Sequence, residues 1–182
     1  MESEWTEVLY EDDITVFNKK TEGAILPFKA KGIVAADIET VLSILMDHKL
    51  KPQWAPKLKS VKIHKMLSED EAIFSEYYKT PWPAIDREFL LKGSLVKLSQ
   101  TKYHLLAKSY KDDSLKEKSH IQANVKVVSI IVDRISPTET MLEFEFHGDM
   151  KGWMPVWLMN IIQKKWPLRF IQGLRAQVRA KS

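Results

Sequence analysis

KGWMPVWLMNIIQKKWPLRFIQGLRAQVRAKS, residues 151–182, closes the chain and is the stretch on which the fold turns. Met159, Ile162, Trp166, Phe170, Leu174 and Val178 recur at helical spacing as one continuous apolar stripe. The helix is expected to run from just after Lys151-Gly152 to Val178, with Pro155 tolerated in its first turn. Trp157, Leu158, Ile161, Leu168 and Ile171 add apolar surface outside the stripe, more than one face requires. Pro167 lacks an N–H and predicts a kink or weak point near the middle.

Upstream the period changes to two. In Thr140 to Phe146 the apolar Leu142, Phe144 and Phe146 alternate with Glu143, Glu145 and His147, so one face is dry and the other wet. Further strands are expected over Val61–Leu67, Glu71–Lys79, Glu88–Leu98, Tyr103–Tyr110 and Ile121–Ile135, joined by turn-rich connectors as in an antiparallel meander. Before them, two short runs between Thr6 and Lys20 flank the turn Glu11-Asp12-Asp13, and Leu26–Ala35 reads as a third strand. Asp37 caps a helix carrying Ile38, Val41, Leu42, Leu45 and Met46, which Pro52 stops or restarts. The order predicts an α+β fold in which a curved antiparallel sheet of about nine strands wraps around the long C-terminal helix. One helix cannot fill a concave sheet face densely, so an internal apolar cavity is expected, a place for a small molecule.

Composition narrows the chemistry. The 182 residues fit one domain, with no repeat and no linker to divide them. Cysteine is absent, which removes disulfides, thiolate metal sites and cysteine nucleophiles. No stretch approaches the ~20 apolar residues of a membrane span, and the acidic start Met1-Glu2-Ser3-Glu4-Trp5 has no apolar signal core, so a soluble cytoplasmic protein is expected. A monomer is the expectation for its assembly, which none of these features decides. The net charge of +4 is unevenly spread. Residues 151–182 hold seven basic residues and no acid, leaving 21 basic against 24 acidic residues in the rest of the chain. Lys164, Lys165, Arg169 and Arg175, interleaved with surplus aromatics, suit transient contact with an anionic membrane surface. Nucleic acid is disfavoured, because single-strand binders leave their sheet face open.

No G-x-S-x-G, G-x-G-x-x-G, P-loop or H-E-x-x-H occurs, and His48, His64, His104, His120 and His147 lack ligand spacing. Neither a metal nor a cofactor is expected. Glu143 and Glu145 share one strand face, the solvated one.

Three segments resemble the START (steroidogenic-acute-regulatory-related lipid transfer) domains of the helix-grip superfamily, in that family's order and spacing. They are Asp47-His48-Lys49-Leu50-Lys51-Pro52-Gln53-Trp54, Pro81-Trp82-Pro83-Ala84-Ile85-Asp86-Arg87-Glu88-Phe89, and Lys151-Gly152-Trp153-Met154-Pro155. The resemblance implies a lipid-sized tunnel, with the Trp82 loop and the last helix as its lid. It also implies two departures. The four residues before Trp5 leave no room for the family's N-terminal helix, and the arginine of sterol-binding members corresponds to Gly93, while Glu76 stands near the position of its acidic partner. Arg87 matches the arginine that meets the head group in phospholipid-binding members. At the mouth of a tunnel it could hold a phosphate or carboxylate, or it could only tie down the loop; the sequence leaves both open.

The expected ligand-binding residues are Glu76, Tyr78, Trp82, Arg87, Phe89, Leu91, Tyr103, Val125, Phe144, Phe146, Met159, Ile162, Trp166, Phe170 and Leu174. Their expected task is to hold a lipid or other apolar small molecule for transfer or sensing. The superfamily also implies an alternative, a tunnel enzyme of the polyketide cyclase or aromatase type, for which Glu76, Tyr103 and His104 are the nameable acid/base groups.

Overall fold

The computed structural model describes residues 4–21 and 26–181. The first three residues, part of the stretch judged too short for an N-terminal helix, lie outside them. Strands β1 (Trp5–Glu11) and β2 (Ile14–Lys19) form the expected hairpin, with Asp12 and Asp13 at its turn in the left-handed region. Strand β3 (Phe28–Val34) leads into α1 (Ile38–Met46). Asp37 caps α1: its carboxylate accepts from the Thr40 N–H at 3.1 Å and the Thr40 hydroxyl at 2.6 Å. Pro52 then sits in a short 3-10 turn, Lys51–Gln53.

Strands β4 (Leu58–Met66), β5 (Glu71–Tyr78), β6 (Arg87–Lys97) and β7 (Lys102–Ser109) follow, then β8 (Ile121–Gln122), β9 (Asn124–Ser136), β10 (Glu139–Asp149) and the helix α2 (Val156–Lys181). The sheet order is β1-β2-β3-β10-β9-β7-β6-β5-β4, antiparallel throughout. Pairing of β10 with β3 sets Phe146 opposite Phe28 and Phe144 opposite Ala30, which brings the N-terminal hairpin into the sheet. The concave face is lined by these rings and roofed by α2, whose Leu168, Phe170, Ile171, Leu174 and Val178 are buried. Gly173 permits this docking, since a Cβ there would stand 2.1 Å from the Trp54 carbonyl oxygen.

Two local expectations are corrected. The run Ile121–Ile135 is two strands, because Ile121 and Gln122 pair in parallel with Arg87 and Glu88 of β6 before the chain turns into β9. Pro155 precedes α2 rather than entering its first turn; its carbonyl accepts from the N–H groups of Leu158 and Met159. Pro167 lies inside α2, which continues to Lys181.

The segment leading to β8 covers the outer face of β5 and β6, so both faces of these strands are dry where they meet. Glu88 is fully buried there and accepts from the Ser75 hydroxyl at 2.6 Å, the Glu117 N–H at 2.8 Å and the Gln122 side-chain amide. Donors on three sides compensate the buried carboxylate.

Candidate functional site: a divided cavity under the last helix

Alternation along β5 and β6 fixes what faces inward. Tyr78, Glu76 and Phe74 of β5 share the concave face with Arg87, Phe89, Leu91 and Gly93 of β6. These residues divide between two cavities that have no lining residue in common.

The outer cavity, of about 250 Å³, lies between the ends of β5 and β6, the loop at Lys79–Pro81 and the first half of α2. Tyr78, Phe89, Met154, Trp157, Leu158, Ile161, Ile162 and Trp166 make it apolar, and Lys57, Lys79 and Arg169 also line it. Around this end of the molecule large apolar side chains are exposed: Trp82 is 90% accessible and Val156 76%, with Ile85, Trp153 and Trp157 more than half exposed.

The inner cavity, of about 90 Å³, lies between the end of α1, strands β5, β6, β7 and β9 and the exposed turn at Met66, Glu69 and Asp70, where it meets the surface. Its polar feature is an ion pair absent from the sequence expectations: Lys51 Nζ stands 2.5 Å from Glu76 Oε2, with both side chains largely buried. His48 lies beside the pair. Burial, reinforced by Lys51, pulls its pKa below the ordinary value, and its Nδ1 is buried without a hydrogen-bond partner among the described residues. Burial, then the charge on Glu76, pushes the Tyr78 hydroxyl well above its ordinary pKa. A Cβ at Gly93 would stand 2.9 Å from the Phe74 ring, and the cation beside Glu76 is Lys51.

Aromatic rings occupy the ground between the cavities. The Trp166 ring stands edge-on to Phe28, Tyr78, Phe89, Phe144 and Phe146, with centroids 5.3–6.2 Å away. Phe144 stacks on Phe170 at 4.2 Å and Phe28 on Phe146 at 5.1 Å. In place of the single tunnel expected from the sequence there are two cavities, with Trp166 and Phe89 lining one of them and packed into this ring cluster.

Arg87 is committed to the fold. It is 1% exposed, and its guanidinium donates from Nε to the Met150 carbonyl at 2.9 Å and from Nη2 to those of Lys151 at 2.5 Å and Trp153 at 3.3 Å, while Nη1 reaches the Ile85 carbonyl. It ties down the approach to α2, through backbone carbonyls rather than through Asp86. Asp86 pairs with Lys59 at 2.6 Å instead. Lys151 and Gly152 both take left-handed backbone to present this turn, and a Cβ at Gly152 would lie 2.5 Å from Ile121. Two of the three sequence segments singled out above thus meet in one clamp.

Of the other expected ligand-binding residues, Tyr78, Phe89, Ile162 and Trp166 line the outer cavity and Glu76 and Leu91 the inner one. Phe144, Phe146, Phe170, Leu174 and Val125 are packed in the core, with Met159 and Tyr103 partly buried against it. Trp82 sits outside the cavity. Tyr103 and Glu76 face inward, but His104 turns to the outer face and bonds the Ser129 hydroxyl at 2.7 Å, so the three acid/base candidates do not converge. Among the expected membrane-contacting residues, Arg175 donates to the carbonyls of Asp12 and Ile33, and Lys165 pairs with Glu11 at 3.3 Å. Lys164 and Arg169 are exposed. Lys51 and His48 were missed as polar lining. They lie in a segment already singled out, but a pairing 25 residues apart has no local periodicity to reveal it.

Comparison with known proteins finds the same fold elsewhere. Human StAR-related lipid transfer protein 5 superposes with a TM-score of 0.88 at 15% identity, covering 97% of this chain and 87% of that one. A STAR-related lipid transfer protein fragment from Xanthomonas axonopodis gives 0.83 at 18% identity, covering 96% and 98%. The Zhui aromatase/cyclase from Streptomyces sp. R1128 gives 0.62 at 9% identity, covering 86% and 95%. At these identities the likeness is one of fold. No curated protein matches the sequence closely enough to count as a relative. The START domain family model matches residues 2–181, and the chain belongs to that family.

Proposed function

We propose that this START domain holds one lipid or comparable apolar molecule beneath α2 and exchanges it at a membrane surface. The observation that carries the reading is the aromatic outer cavity opening beside exposed Trp82, Trp153, Val156 and Trp157. The physical task is to lower a transfer barrier: about 0.8 kcal/mol per methylene, or roughly 13 kcal/mol for a sixteen-carbon chain moving through water.

The charges suggest how such a ligand lies. Four of the five Arg87 N–H groups are bonded to carbonyls and Lys51 is paired with Glu76, so an anionic head group belongs at the mouth, near Lys57, Lys79 and Arg169. The exposed apolar side chains and the basic residues Lys164 and Arg169 form the membrane-facing side, which suits a cytoplasmic protein peripheral to membranes. The domain works as a carrier or sensor rather than a catalyst in this reading, since Glu76 is ion-paired and His104 lies on the far side of the sheet.

The test is extraction of lipid from vesicles. Purified protein incubated with mixed phosphatidylcholine, fatty acid and cholesterol vesicles, re-isolated and examined by native mass spectrometry, is expected to carry one bound lipid. Protein that stays empty with all three would sink the proposal.

A further inference from the structure

The outer cavity, at about 250 Å³, falls below the roughly 300–1,000 Å³ of ordinary ligand pockets. Loading a lipid, the function proposed above and the reading on which this inference rests, therefore requires the ring cluster around Trp166 to part. Trp166 is the residue immediately before Pro167 in α2.

An α-helical N–H normally bonds the carbonyl four residues earlier. Pro167 has none, so the Gln163 carbonyl is left without its helical donor. The side-chain amide of Asn18, reaching across from β2, fills the vacancy with a hydrogen bond of 2.9 Å. Asn18 is thus the tertiary replacement for one missing backbone bond at the middle of the helix.

The two sides of this point are held differently. Beyond it, Leu168, Phe170, Ile171, Leu174 and Val178 are buried, and Gln172 and Arg175 bond to Asp12 and its neighbours. Before it, from Val156 to Trp166, Leu158 alone is buried, Val156, Trp157 and Ile161 are exposed, and Lys165 makes a solvent-exposed pair with Glu11 at 3.3 Å. The weakly held half lines the outer cavity and carries Trp166.

We infer that Asn18 is a positioning residue for ligand exchange: by capping the Gln163 carbonyl opposite Pro167 it latches the first half of α2 shut. Release of that bond lets residues 156–166 move between Pro167 and the Arg87 clamp that holds the start of the helix. Trp166 then leaves the ring cluster and the outer and inner cavities join. The C-terminal half stays docked.

The test is a double-mutant cycle read in ligand-free protein by amide hydrogen exchange. Asn18→Ala is expected to speed exchange across 156–166 by roughly 5- to 10-fold, the span of one partly buried hydrogen bond, and to leave 168–178 unchanged. Pro167→Ala restores the backbone donor and is expected to slow exchange across 156–166. Asn18→Ala added to Pro167→Ala is expected to have no further effect, because the carbonyl is then bonded within the helix. An equal effect of Asn18→Ala in both backgrounds, or none in either, overturns the latch. If Asn18→Ala alone fails to fold, rescue by Pro167→Ala supports it and failure to rescue overturns it. A nitrobenzoxadiazole-labelled sixteen-carbon fatty acid is expected to exchange with vesicles in the same order of variants; binding with one unvarying rate overturns the inference. A probe that does not bind at all, while the amide order holds, overturns the lipid-binding reading and leaves the latch standing.

Discussion

The Nε of Arg87 donates to the carbonyl of Met150 across 2.9 Å, so the first residue of β6 holds the segment that opens α2. With the bonds to Lys151 and Trp153 it forms a buried clamp in which no acid takes part. Arg87→Lys keeps the charge but loses the planar fork. It is expected to lower unfolding stability by roughly 2–4 kcal/mol, about two charge-assisted bonds. Urea unfolding reads this as a lower midpoint with an unchanged slope. An unmoved midpoint would mean that the guanidinium is free for another role.

The buried Lys51–Glu76 pair predicts a sign reversal. Glu76→Gln leaves an ammonium buried without its counter-charge and is expected to cost roughly 3–5 kcal/mol. Replacing both, Lys51→Met with Glu76→Leu, is expected to return stability to near or above the starting value, because the desolvation of both ions is then avoided. Thermal unfolding of the three variants decides; additive losses would contradict the pairing.

His48 and His64 both sit below the ordinary histidine pKa of 6.5, chiefly through burial. The folded state therefore binds fewer protons than the unfolded chain in the range below 6.5. Stability from these groups is complete above 6.5 and declines as pH falls from 6.5 toward the folded values. Urea midpoints between pH 7.5 and 5 are expected to fall on acidification, and His48→Gln is expected to flatten the slope. A slope unchanged by the substitution would assign the effect to other groups.

Charge reversal separates docking from folding. Lys164→Glu with Arg169→Glu is expected to weaken binding to phosphatidylserine vesicles at low salt by at least about tenfold, given ~1 kcal/mol per basic residue at an anionic surface. Stability is expected to be unaffected. Arg175→Glu, which breaks bonds to the Asp12 and Ile33 carbonyls, is expected to destabilise the fold instead. Sedimentation with vesicles and a parallel melting curve distinguish the two. Equal vesicle binding by the Lys164/Arg169 variant would remove the membrane contact from the proposal.

The elements were legible because each is written in a local period. Leu142, Phe144 and Phe146 alternate and Met159 to Val178 recur at helical spacing, and strand and helix have bounds close to those expected. The buried helix face differs, taking in Leu158, Leu168 and Ile171 and leaving Met159, Ile162 and Trp166 partly exposed. The break at Ala123 was not legible. Ile121 and Val125 both suit a strand, and only the parallel partner β6, brought up by the Arg87 clamp, separates them.

By itself, then, the sequence determined the order of strands and helices, the amphipathic roof that leaves a concave sheet its cavity, and the family. Side chains within a few residues of one another set those features. Tertiary structure alone decided how the cavity is used. It turned Arg87 toward backbone carbonyls 63 and more residues away, paired Glu76 with Lys51, packed Trp166 into the ring cluster, and gave the Gln163 carbonyl to Asn18, 145 residues distant. Each depends on which groups compete for one buried partner. That competition exists only once the chain has folded and excluded water from the choice.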